Sequence, residues 1–185
     1  MNGEIRGNSK NRKNKRGNNM LLAVQYGKWI FLAVSILVFN ITAIQSRKRL
    51  PITTIYATTC FALCVQQYFD SYATFRFRAW GFFTVGKADF PSLLVKWGIY
   101  PAVSVLIVNW YPYHSSRWKK FSYIMGWSVF STVFEWAAIR LDILWHIHWN
   151  LFYSFLMYPV IYYVFLILHV RFYKWLKQRE GDERT

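Results

Sequence analysis

The chain is poor in acid and in cysteine. Of its 185 residues only 8 are Asp or Glu, against 23 Lys or Arg. Its two cysteines, Cys60 and Cys64, stand one helical turn apart inside an apolar stretch, a spacing that supports neither a disulfide framework nor a CxxC redox motif. We read them as small buried hydrophobes. Charged residues make up 17% of the chain, below the roughly 25% usual in soluble domains. No GxSxG, Walker loop, glycine-rich dinucleotide turn or Ser/His/Asp grouping occurs, so the enzyme classes built on them have no support.

What is abundant is apolar side chain, 55% hydrophobic and 21% aromatic, and it comes in long blocks. A membrane-spanning helix needs about 20 mostly apolar residues, because about 30 Å of hydrocarbon is crossed at 1.5 Å per residue. Five stretches reach that length. The first is Trp29 to Ser46, extended backward by Leu21 to Tyr26 with Lys28 snorkelling. The second is Leu50 to Phe69, with Pro51 in its first turn. The third is Trp97 to Ser116, preceded by Pro91 to Val95 and containing Pro101; the fourth is Phe121 to Ile139, interrupted by Glu135; the fifth is Trp149 to Leu168, with Pro159 near its middle.

Backbone polar groups in hydrocarbon must be satisfied within the segment, so these blocks are expected to be helices, kinked at Pro101 and Pro159. The fold class that follows is all-α, a polytopic membrane protein folded as a compact bundle of about five transmembrane helices. Its regions are a disordered, basic, Asn-rich tail over 1–19, the helical bundle over 20–178 and a charged C-terminal tail over 179–185. The first apolar block is too long for a signal peptide and lacks a small-x-small cleavage site.

The net charge of +15 invites a nucleic-acid reading, but its placement argues against one. Arg47, Lys48 and Arg49, then Arg117, Lys119 and Lys120, then Arg171, Lys174, Lys177 and Arg179 each follow an apolar block, as charges that hold helix ends at anionic headgroups do. The expected partners are the lipid bilayer and its anionic headgroups, with room for a homo-oligomer or a membrane partner and no nucleic acid. Trp29, Trp110, Tyr111, Trp149 and Trp175 form interfacial belts. The positive-inside count nearly ties; the three clusters abutting helix ends favour a cytoplasmic C-terminus, and translation from Met20 would remove the opposing tail.

Glu135 is the most informative residue, because a carboxyl group inside an apolar block costs several kcal/mol unless neutralised or partnered. It is read either as a proton or ion relay or as a packing carboxyl bonded to Ser131 or to Tyr153. Asp142 falls on the same helical face, seven residues on. Arg140 and Asp70 end neighbouring blocks on one membrane side and could pair, with Gln66 one turn before Asp70. Glu135, Arg140, Asp142, Asp70 and Tyr153 thus make a candidate intramembrane polar cluster. His146 and His148 do not match a metal-ligand motif, and a haem between His148 and His169 would have to bridge about 32 Å of helix. No cofactor, metal site or catalytic residue is expected. Tyr100-Pro101 and Tyr158-Pro159 echo one another, but two residues do not establish a repeat.

The stretch from Asp70 to Lys177 resembles a family of small, uncharacterised multi-pass membrane proteins of endospore-forming bacteria. The resemblance is carried by Trp97-Gly98-Ile99-Tyr100-Pro101-Ala102-Val103, the Asn109-Trp110-Tyr111-Pro112 turn, Tyr123-Ile124-Met125-Gly126-Trp127-Ser128, Phe134-Glu135-Trp136, and Trp149-Asn150-Leu151-Phe152-Tyr153-Ser154 running on to Tyr158-Pro159. It covers more than half the chain, with Glu135-Trp136 and Tyr153-Ser154 as its polar hallmarks. The basic tail and the region of His146 and His148 depart from the pattern. The resemblance implies a multi-pass protein of a bacterial cytoplasmic or spore membrane and brings no activity with it. The expected function is non-enzymatic, structural or partner-binding, with a small transporter or channel subunit using an intramembrane carboxylate as the alternative. A lipid-acting membrane enzyme would lack a catalytic constellation.

Overall fold

The computed structural model describes residues 25–46, 49–83 and 90–182. The tail over 1–19 expected to be disordered lies outside them, as do Arg47, Lys48 and Lys87. The chain is mostly helical. Helix α1 is Gln25–Gln45, α2 is Ile52–Phe75, α3 is Phe90–Gly98, α4 is Tyr100–Trp110 and α5 is Arg117–Arg140. The last helical run comprises α6, Leu151–Val160, a π-helical stretch over Ile161–Leu168 and α7, His169–Asp182. Three runs are long and apolar enough to cross a membrane: Gln25–Gln45, Phe90–Trp110 and Leu151–Arg179.

Helix ends explain the departures from the expected boundaries. Pro51 stands before α2 in an extended conformation (ψ 140°), as its N-cap rather than inside its first turn. That helix then runs past Phe69 to Phe75, which puts Asp70 within it. The third block divides: Pro101 lacks the N–H that would bond Trp97, α3 stops at Gly98, and α4 starts afresh with the proline in its first turn. Asn40 of α1 donates to the carbonyl of Gly98 at this break (2.7 Å). A Cβ on Gly98 would lie 3.0 Å from Ile36 of α1, so the glycine lets the two helices approach. Pro112 drives Tyr111 to ψ 132°, ending α4 at Trp110 rather than at Ser116. Ser116 instead caps α5, accepting from the amide of Lys119.

Pro159 acts one turn later than a simple kink. The helix continues through it but widens into i→i+5 bonding over Ile161–Leu168 before α7 resumes. The run reaches Asp182, so the charged tail begins as helix.

The connections after α2 and after α5 hold two short strands that the sequence reading did not anticipate, β1 over Trp80–Phe82 and β2 over Leu144–His146. They pair antiparallel, Trp80 opposite His146 and Phe82 opposite Leu144. This ribbon draws two distant loops together at one end of the bundle. At the other end, Asn109 is fully buried; its side chain accepts from the amide of Arg49 (2.6 Å) and donates to Ser46, tying α4 to the α1–α2 connection.

Two apolar clusters stack along the bundle. One gathers Leu50, Ile107, Val108, Ile124, Leu166 and Val170 near the Asn109 end. The other gathers Leu32, Phe82, Val95, Ile99, Ala138 and Ile143 near the ribbon. Thr54, Thr58 and Ser128 are also buried, the kind of small polar residue that lets helices pack closely in lipid. Cys60 is half-buried and Cys64 exposed on α2, which corrects the reading of both as buried.

Asp142 is not on a helical face with Glu135, because α5 ends at Arg140. It takes a left-handed conformation (φ 54°) in a Schellman turn, where Ile143 N–H bonds Ala138 and Asp142 N–H bonds Ile139. Glycine is the residue best suited there. Asp142→Val is expected to destabilise the protein by about 1–2 kcal/mol, whereas Asp142→Gly leaves it unchanged or slightly more stable. Thermal unfolding in detergent checks this; equal midpoints for the two variants would remove the turn from any role in stability.

Candidate functional site

Glu135 sits on α5 about five residues, or roughly 7.5 Å of helix rise, before its last residue, Arg140. It is 7% exposed. Its carboxylate is surrounded by donors. Ser154 Oγ donates to Oε1 (2.6 Å), Tyr158 Oη donates to Oε2 (2.7 Å), and His146 Nε2 lies 2.7 Å from Oε1. Trp149 Nε1 in turn donates to Ser154 (2.8 Å), extending the network by one member.

Each partner is placed by a feature of local structure. Asn150 caps α6 by accepting from the amide of Tyr153, which fixes the start of the helix and with it Ser154 and, one turn on, Tyr158. His146 closes β2, and pairing with Trp80 points its ring back over the end of α5. The ribbon is therefore what brings an imidazole to a buried carboxyl. The His146–Glu135 contact sets imidazole Nε2 against carboxylate Oε1 at hydrogen-bond distance, an arrangement in which Nε2–H donates to the carboxylate.

A cavity of about 280 Å³ lies between the two apolar clusters, and Glu135, Ser154 and Tyr158 form part of its wall. Ser131 and Tyr162, bonded to each other, line it too, as does Tyr100. The remainder is largely apolar and rich in aromatic rings, among them Phe31, Phe134 and Phe165.

The structure divides the candidate cluster. Asp70 is buried and lines the same cavity as Glu135. Its counter-ion is Lys96 of α3 (3.6 Å) rather than Arg140, and Lys96 also stands over the ring of Phe82 (5.7 Å). Arg140 is exposed, with its guanidinium over Trp136 (5.5 Å). Tyr153 is exposed beside Trp149 and Phe152, and it is Ser154, its neighbour, that bonds Glu135. Ser131 bonds Tyr162 instead. Lys96, His146, Ser154 and Tyr158 were not in the candidate set. The Ser154 and Tyr158 signal was available, because four-residue spacing places both on one face of a helix. His146 could not be found without the strand pairing.

Among the described residues no three His, Cys, Asp or Glu side chains gather as a metal site. His169, near the opposite end, bonds Thr58 (3.1 Å) and stacks on Phe61. Beyond the end of α4, Tyr113 donates to the carbonyl of Val108 and receives Lys174 over its ring; burial pushes its phenol above the usual range and keeps it a neutral donor. No protein family, curated protein or solved structure matches this chain.

Glu135→Leu is expected to destabilise the protein by roughly 2–4 kcal/mol, because it strands the donors of His146, Ser154 and Tyr158 in an apolar interior. Tyr158→Phe removes one donor and leaves the carboxylate two partners, at about 1 kcal/mol. Detergent unfolding midpoints test the order; a Leu variant as stable as the parent would show that the network does not hold the bundle.

Proposed function

We propose that this is a non-enzymatic integral membrane protein that crosses a bacterial cytoplasmic or spore membrane five times and works as a small transporter or channel subunit through Glu135. The observation that carries this reading is a buried carboxylate, bonded to an imidazole, facing a central cavity. A purely structural or partner-binding role has no need of the cavity.

Five crossings are supported by more than the three most apolar runs. Helices α2 and α5 have 24 residues each, about 36 Å at 1.5 Å per residue, enough to span. They fall short in apolarity for identifiable reasons: α2 holds Gln66, Gln67 and Asp70, and α5 opens with Arg117, Lys119 and Lys120 and encloses Glu135. Their outward faces still present Tyr56, Phe61, Tyr68, Val129, Val133 and Trp136, a surface suited to lipid and larger than a soluble monomer exposes. The β1–β2 ribbon joins the connections following α2 and α5, as required if these two helices run in the same direction between spans running the other way. With the basic clusters of α5 and α7 in the cytoplasm, the ribbon and His146 face outward.

Two measurements test the reading. With Cys60 and Cys64 replaced by serine, Arg117→Cys and Arg179→Cys are expected to react with a membrane-impermeant maleimide from one side of sealed vesicles and Arg140→Cys from the other. All three reacting from one side would overturn five crossings. In proteoliposomes carrying an internal pH dye and a potassium–valinomycin potential, the protein is expected to conduct protons above protein-free vesicles, and Glu135→Gln to return conduction to that background. Background conduction by the parent protein would overturn the transport role.

A further inference from the structure

We propose that the cavity between the two apolar clusters takes a lipophilic organic cation, one with aromatic or alkyl bulk around a diffuse positive charge. The inference rests on the reading of Glu135 as a functional interior site and names what that site accepts.

Sign comes first. The chain carries 23 Lys and Arg and a net charge of +15, yet no Lys or Arg is among the described residues that line the cavity. The charged residue types in its wall are the two acids Asp70 and Glu135. Their basic partners, Lys96 and His146, meet them from outside that lining. What a ligand in the cavity would meet is therefore the negative charge of carboxylates. An anion would meet that charge with no basic side chain in the wall to hold it.

The wall then separates kinds of cation. A hydrated inorganic ion needs several oxygen ligands in place of its water, about six for calcium or magnesium. Both oxygens of Glu135 are already engaged by Ser154, His146 and Tyr158, and most of the rest of the wall is hydrocarbon. Aromatic faces, by contrast, attract a diffuse cation through the ring quadrupole. Phe134, Tyr158 and Tyr162 present rings beside Glu135, and Phe69, Tyr100 and Trp80 do so toward Asp70. The rim already holds one cation in this way, Lys96 over Phe82. A volume of about 280 Å³, roughly nine times the ~30 Å³ share of one liquid water, has room for a bulky organic cation rather than for a single bare ion.

The test compares two probes of nearly equal shape on the purified full chain in detergent: methyltriphenylphosphonium, which is charged, and triphenylphosphine oxide, which is not. Equilibrium dialysis is expected to show saturable 1:1 binding of the phosphonium, with the oxide at least tenfold weaker. Glu135→Gln should weaken the phosphonium at least tenfold and leave the oxide unchanged, Glu135→Asp should retain most of the affinity, and Phe134→Leu should lower it several-fold. The parent protein alone decides the main point, whatever the folding of the variants. An oxide bound as tightly as the phosphonium, or no saturable phosphonium binding, overturns the inference, as does phosphonium binding indifferent to Glu135→Gln in a folded variant. Proton conduction without phosphonium binding would sink the inference alone, and phosphonium binding without conduction would sink the transport role alone.

Discussion

A carboxyl group buried in an apolar interior must find partners or lose its charge, and much of the ribbon end of this bundle is arranged around that requirement at Glu135. Its oxygens draw on two other elements: Ser154 and Tyr158 from α6, and His146 from β2. The α5–α6 packing is thereby fixed in register, since a helical slip of one residue would turn Ser154 and Tyr158 away together. The strand is held as well. A two-stranded ribbon of three-residue strands is marginal alone. Here Phe82, Ile143 and Leu144 bury into the apolar cluster beneath it, and the imidazole of His146 anchors its end on the carboxyl group. One buried charge thus organises a helix pair and the loops that cover it.

The two prolines act on this site from opposite sides. Pro101 and Pro159 each follow a tyrosine, and both tyrosines, Tyr100 and Tyr158, line the cavity. At Pro101 the helix breaks, with Asn40 bonding the Gly98 carbonyl beside the gap. At Pro159 it continues and widens, and the i→i+5 stretch that follows carries Tyr162 into the wall. Non-regular backbone is tolerated in a membrane interior only where protein or a cavity covers it, and both irregularities adjoin this cavity. The echo between the two dipeptides is thus a shared consequence: each proline loosens its helix where a tyrosine faces the interior.

Much of the architecture was legible in the sequence because lipid imposes a simple code. Long apolar blocks read as helices, and four of the five expected spans reappear as single helical runs, while the block around Pro101 is divided at the position its ring dictates. Glu135 stood out because charge inside such a block is costly. What was not legible was pairing at a distance. The ribbon joins residues more than sixty positions apart with three residues from each side, too few to register as a strand pattern, so His146 was weighed only as a metal ligand beside His148. Asp142 was misplaced for a local reason: helical periodicity was extrapolated two residues beyond a helix that closes in a left-handed turn. Asp70 met Lys96 rather than Arg140 because α2 continues past Phe69 and carries the acid toward α3.

The cavity itself is an argument about function. Interiors close-pack, and an unfilled volume forfeits contacts that larger side chains at the same positions would supply. The residues that border this one could not easily be read as a packing failure, because Ser104, Ser131 and Ser154 alternate with large rings and the short side chains bring hydroxyls to the space. Charge is segregated in the same sense: Asp70 and Glu135 line the space, and no Lys or Arg among the described residues does. A bundle shaped for stability alone would replace both members of each pair, Asp70 with Lys96 and Glu135 with His146, by apolar side chains. Keeping two acids, an imidazole and an open volume together at the centre of a basic protein makes sense when something positively charged has to be received there.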